Sequence, residues 1–196
     1  MIGAGSVAFQ KIEGLMKAGA NICVVAKQAS SPIRDLAVQE KLTLELRAYH
    51  KEDLRDVFLV FAATNDSECN RQIYQDTREM KILLNAVDQP EECDFTIPAR
   101  VEKGDLLLTI STGGRGPFFS KILRKYFEKK FSDEFEQALN KIFEVRQKMI
   151  QLGRAKEFAL YMDEKGENVC GELMGSKPFH CVEKIIGDLG LDDKHA

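Results

Sequence analysis

The sequence predicts an α/β domain built on a parallel sheet with crossover helices, followed by a helical tail. Short apolar runs alternate with helix-like stretches through the first half, the pattern of repeated strand–helix–strand units. A glycine-rich turn opens the first helix. Apolar residues recur at helical spacing through the second half. The 196 residues allow one full domain with an appendage, and 44% apolar with 30% charged residues is a globular composition.

The strands are expected at residues 21–26, 42–46, 58–63 and 82–87. Several are rich in β-branched residues, and the more continuous runs read as strands buried on both faces. Helices are expected between them, at 7–17, 33–40 and 69–80. Gly19 stands where a helix C-terminal cap belongs, and Ser31 before Pro32 suits a helix start. After Asp88 the pattern changes. Residues 95–98 are short and extended, and 105–112 read as a strand. The run Gly113-Gly114-Arg115-Gly116-Pro117 then breaks the chain. Helices follow at 118–131, from a Ser132 cap to Met149, at 154–162, and at 178–189. The polar run 163–168 reads as a turn.

Lys and Arg number 28 against 31 Asp and Glu, a net charge of −3, which argues against a general nucleic-acid binder. No run approaches the ~20 apolar residues of a membrane span. The start Met1-Ile2-Gly3-Ala4-Gly5 lacks a signal-peptide pattern. Cys23, Cys69, Cys93, Cys170 and Cys181 are odd in number and scattered, so reduced thiols in a cytoplasm are expected. His50, His180 and His195 are also scattered, and no metal site is expected.

Gly3-Ala4-Gly5-Ser6-Val7-Ala8 matches G-x-G-x-x-[G/A] before a helix and then a strand. Such glycines let the backbone approach a pyrophosphate, which the helix N-terminus then receives. This points to a Rossmann-like dinucleotide site. Two departures stand out. Only Met1 and Ile2 precede Gly3, so the first strand reads as truncated, which would leave unpaired backbone at the sheet centre. A carboxylate is also expected about 20 residues on, to grip the ribose. The second strand ends instead in Lys27-Gln28. Lys27 suits a 2′-phosphate or is a solvated strand end, so NAD versus NADP stays open on this spacing. Thr64 closes a later strand and suits either a phosphate or ribose contact or a helix cap. Asp88 closes the next strand, placed for proton transfer or as a turn residue before Pro90.

Together these motifs carry a resemblance. Gly3-x-Gly5-x-Val7-Ala8-x-x-Lys11, Gly19-Ala20, Ala62-Ala63-Thr64, Asn85-x-Val87-Asp88-x-Pro90, Phe95-x-x-Pro98-Ala99 and Ser111-Thr112-Gly113-Gly114-x-x-Pro117 occur in order. Over roughly residues 2–130 the chain resembles the precorrin-2 dehydrogenase family, the siroheme synthase N-terminal module.

The resemblance implies NAD-dependent oxidation of precorrin-2 to sirohydrochlorin, with ferrous-iron insertion in some members. It implies a dinucleotide-binding domain (1–97), a dimerisation segment (98–130) and a helical domain (131–196), with the active site in a homodimer. Carried over by position, Asp88 is the catalytic residue. Gly3, Gly5, Ser6, Val7, Lys27, Gln28 and Thr64 fall at or beside nucleotide contacts. Lys11, Thr112, Gly113, Arg115 and Arg124 are expected to meet the polycarboxylate substrate, since Arg grips carboxylates bidentately. Phe118, Phe119, Ile122 and Phe127 suit a subunit interface or an intrachain core equally. The competing reading is a non-catalytic module that senses NAD(H) and gates a partner.

Overall fold

The computed structural model describes residues 1–87 and 89–191. It divides into two units, Met1–Ile97 and Pro98–Ala196, each with its own core.

The first unit alternates helix and strand. Its helices are α1 (Ser6–Lys17), α2 (Ser31–Val38) and α3 (Ser67–Met80), and its strands are β1 (Cys23–Ala26), β2 (Thr43–Leu46), β3 (Leu59–Ala62) and β4 (Leu83–Ala86). β1 pairs with β2 and β3 with β4, all parallel. Ile2 bridges the two pairs, parallel to Val25 on one side and Ala62 on the other. The sheet order is therefore β2, β1, Ile2, β3, β4. The centre expected to lie open is paired as far as Met1 reaches. Gly3 N–H donates to Val25 O at 2.9 Å and Ile2 N–H to Phe61 O at 2.8 Å; Val25 N–H and Ala63 N–H return bonds to Met1 O and Ile2 O.

Both faces of this sheet are covered, as the continuous apolar strands require. Val24 and Ala26 pack with Ala8, Ile12 and Ile33 from α1 and α2. Val25, Val60 and Leu84 turn to the opposite face with Leu54 and Ile73. Gly19 follows the α1 cap with φ +72°, and its N–H and that of Ala20 close onto Met16 O and Leu15 O. The α2 cap falls at Ser30, one residue before the expected Ser31, so Pro32 sits in the second helical position.

The second unit opens with an antiparallel hairpin of β5 (Ala99–Lys103) and β6 (Leu106–Ile110). β5 carries no apolar pattern that marks it in the sequence, since only Val101 is buried on it. Four helices follow: α4 (Pro117–Lys130), α5 (Asp133–Gln151), α6 (Ala155–Leu173) and α7 (Pro178–Asp188). Ser132 caps α5 by accepting Phe135 N–H at 3.2 Å. The expected turn at 163–168 is instead the middle of α6. Phe158, Val169 and Leu173 share its buried face, and the polar residues ride the outer one. The interior Gly166 costs about 1 kcal/mol relative to Ala, which packing of that face against the α5 and α7 core overrides. No helix among the described residues is long and apolar enough to cross a membrane.

Asp94 ties the chain after β4 back to the sheet. Its carboxylate accepts Leu84 N–H at 2.8 Å and the Arg78 guanidinium at 2.5 Å. Arg78 first, and Leu84 N–H next, hold its pKa below the ordinary range. A carboxylate lowered in the folded state stabilises above its unfolded pKa, and that share is lost as pH falls through the folded value. Asp94→Asn is therefore expected to cost the first unit about 1–2 kcal/mol at neutral pH. The deficit should shrink towards zero once the pH is taken below the carboxylate range, as thermal unfolding of both forms across that range will show.

Candidate functional site

The carboxyl ends of β1, β2 and β3 open onto one cleft of about 610 Å³, within the size range of cofactor sites. Its floor is the turn from Ile2 into α1. Gly3 has φ +101°, and a Cβ built there would fall 2.2 Å from Ala63 O, so only glycine lets the turn pass this strand. Gly5 is the α1 N-cap, with no side-chain cap bond and no acidic residue in the first turn. A Cβ on Gly5 would meet nothing within 4 Å. The first-turn N–H groups of α1 are thus offered towards the cleft, a cradle suited to an anion.

Every nucleotide residue expected from the sequence borders this cleft: Gly3, Gly5, Ser6, Val7, Lys27, Gln28 and Thr64. Lys27 reaches Asp66, with Nζ 3.4 Å from Oδ2. Thr64 does not cap α3. Asp66 does, accepting Cys69 N–H at 3.1 Å. That bond, then Lys27, lowers the Asp66 pKa. Thr64 instead donates to Asn70 Oδ1 at 2.6 Å and accepts Asp66 N–H at 3.2 Å, which fixes the loop at the cleft edge.

The cleft also holds residues that the sequence reading did not single out, including Arg47, Tyr49, Asp66 and Cys69. Arg47 and Tyr49 follow β2, and the rule that ligands bind at strand carboxyl ends could have found them. Tyr49 turns its hydroxyl to the buried Asp76, donating at 2.9 Å; burial first and that bond second push its pKa well up.

Lys11, on α1, does not line the cleft. Its Nζ lies 5.4 Å from the centre of the Phe61 ring, and burial lowers its pKa. Asp88 lies outside the described residues. Close to it in sequence, Cys93 Sγ accepts Ala86 N–H at 3.2 Å, and the buried Asn85 donates to Phe95 O at 2.8 Å. In the second unit, Thr112 Oγ1 accepts Gly116 N–H at 3.1 Å. Gly113 and Gly114 take φ +59° and +79°, so this loop is built on glycine. Arg115 is exposed on it, and Arg124 pairs with Glu128 one turn along α4. The five cysteines are free, and no group of three or more metal-ligating side chains occurs among the described residues.

Residues 1–99 match the family model described as "Putative NAD(P)-binding". The chain belongs to this NAD(P)-binding family. Relatives carry the sequence resemblance further. The siroheme synthase of Pseudoalteromonas atlantica is 34% identical over 153 residues, 73% of this chain and 33% of that protein. The siroheme synthase of Zymomonas mobilis is 30% identical over 193 residues, 96% of this chain and 40% of that protein. The chain thus spans less than half the length of either relative. Among solved structures, "SirC, precorrin-2 dehydrogenase" superposes with a TM-score of 0.70 at 25% identity, covering 94% of this chain and 91% of that one. The resemblance to the precorrin-2 dehydrogenase and siroheme synthase family holds, and with it the α/β fold class and an NAD(P) cofactor.

The two cradle glycines separate folding from binding. Gly3→Ala is expected to destabilise the first unit by about 2–4 kcal/mol through strain and the Ala63 clash. Gly5→Ala should fold normally and weaken NAD+ binding about tenfold, since its methyl group enters the cradle. Calorimetric titration beside thermal unfolding will resolve the two effects.

Proposed function

We propose that this chain oxidises precorrin-2 to sirohydrochlorin with NAD+, in the route to siroheme. The reading is carried by the glycine turn that opens α1 onto a single cleft at the strand ends. The relatives' names supply the substrate.

In this reading the backbone at Gly3, Gly5, Ser6 and Val7 holds the pyrophosphate. Lys27 and Gln28 lie by the adenosine, and Thr64 orders the neighbouring loop. Bound NAD+ supplies a two-electron acceptor for hydride. Asp88, which follows β4 by two positions in sequence, accepts the accompanying proton and releases it to water. Precorrin-2 thus loses a hydride and a proton, and NADH and sirohydrochlorin leave. The substrate is a polycarboxylate and requires cations. Lys11, Thr112, Gly113, Arg115 and Arg124 are assigned to its carboxylates.

The same proposal makes residues 98–130 a dimerisation segment and 131–196 a helical domain. Phe118, Phe119, Ile122 and Tyr126 stand exposed on α4, an apolar face of the kind that subunit interfaces cover. Phe127, expected beside them, packs against the core of its own unit. A cytoplasmic location, with reduced thiols, belongs to this reading.

Precorrin-2 mixed with NAD+ and the protein should yield NADH and sirohydrochlorin in equal amounts. Asp88→Ala should slow both by about 100-fold or more; unchanged turnover would remove Asp88 from the mechanism. Sirohydrochlorin without stoichiometric NADH would overturn the cofactor assignment. A parallel arm with Fe2+ tests iron insertion: siroheme formed without a separate chelatase would add that activity.

A further inference from the structure

The cleft contains two cations where a dinucleotide's adenosine end is expected, and neither is free. β1 and β2 are in register with Ala26 opposite Leu46. Lys27 and Arg47 therefore leave neighbouring strands side by side, and both line the cleft. Two adjacent cations at this place, with no ribose-binding carboxylate at the end of β1, would ordinarily favour the 2′-phosphate of NADP. Arg47, however, is closed off. Its Nη1 donates to Asp53 Oδ2 at 2.8 Å and its Nη2 to Asp53 Oδ1 at 2.7 Å. Nη1 also donates to Ala48 O at 3.2 Å, and Nε lies 3.8 Å from Glu45 Oε2. The guanidinium fork that would grip a phosphate is already engaged by a carboxylate of matching geometry.

Asp53 is itself held in place. Its Oδ2 accepts His50 N–H at 2.9 Å at the start of a 3-10 turn (Lys51–Leu54). Its side chain is only 9% exposed, so it cannot swing aside without breaking that cap. The Arg47 fork, then the cap bond, keeps it ionised by lowering its pKa. Lys27, by contrast, is 73% exposed and makes one longer contact to Asp66, so it is weakly committed.

We propose that Asp53 is a specificity-determining residue: by occupying the Arg47 fork it withholds the bidentate half of a 2′-phosphate site and so favours NAD over NADP. The selection is built by pairing a cation. The usual device, a carboxylate on the ribose, is absent from the end of β1. Asp53 acts through Arg47 and is a positioning residue. The inference rests on the dinucleotide reading of the cleft and not on the identity of the second substrate.

The test is direct binding of NADH and NADPH, read by nucleotide fluorescence on the full chain without tetrapyrrole. In the natural sequence NADH should bind more tightly. Asp53→Asn keeps an oxygen for His50 N–H but removes the charge and the acceptor for Arg47 Nη2, which opens the fork, and it should shift the affinity ratio about tenfold or more towards NADPH. Asp53→Glu, which retains the charge, should shift it far less. In the double variant Asp53→Asn with Arg47→Ala the gain should vanish. A ratio unmoved by Asp53→Asn overturns the proposal, as does an equal gain with Arg47 removed. If neither nucleotide binds the natural chain, the dinucleotide assignment falls and this proposal with it. If NADH binds but precorrin-2 is not oxidised, only the reaction assigned above falls.

Discussion

The backbone pairing of Met1, Ile2 and Gly3 between β1 and β3 is the constraint on which the first unit depends. Three residues join two strand pairs into one parallel sheet. Each shared amide would otherwise be a buried polar group without a partner, at a cost of about 1–3 kcal/mol. The same three residues aim the chain into α1. Gly3 passes so close to Ala63 that a side chain there is excluded, and Gly5 begins the helix immediately. Sheet continuity and the anion cradle are therefore one piece of backbone. A change that loosens the first alters the second.

The sequence pattern carries most of this unit because the determinants are local. Continuous apolar runs mark the strands that lie between two helical layers, and the glycine spacing marks the turn. The cleft positions Gly3, Gly5, Ser6, Val7, Lys27, Gln28 and Thr64 were readable for the same reason: they sit in or beside motifs, and the fold gathers them at one rim. Arg47, Tyr49 and Asp66 were not readable by motif. Their importance comes from the register of β1 against β2 and from loops that converge only in three dimensions. The Arg47–Asp53 pair spans six residues with no pattern of its own, and only the 3-10 turn at Lys51 brings the carboxylate back to the fork.

The second unit was harder to read. The run Asp163-Glu164-Lys165-Gly166-Glu167-Asn168 has turn composition, yet it lies within α6 because packing acts on Phe158, Val169 and Leu173, outside the run. β5 carries a single buried residue, Val101, and its pairing is set by β6 and the tight turn at Gly104, where φ is +55°. In both places the deciding forces come from neighbours distant in sequence, which local propensity does not register.

Each apolar cluster draws on residues of one unit alone: two lie in Met1–Ile97 and one in Pro98–Ala196. Chains built this way need not melt as a single cooperative block. A nucleotide seated against Gly3 and Gly5 adds binding free energy to the unit that holds it, raising that unit's resistance to heat with ligand concentration. Calorimetric traces of the whole chain would then separate into a ligand-sensitive step and a ligand-indifferent one, and a single melting temperature would describe neither.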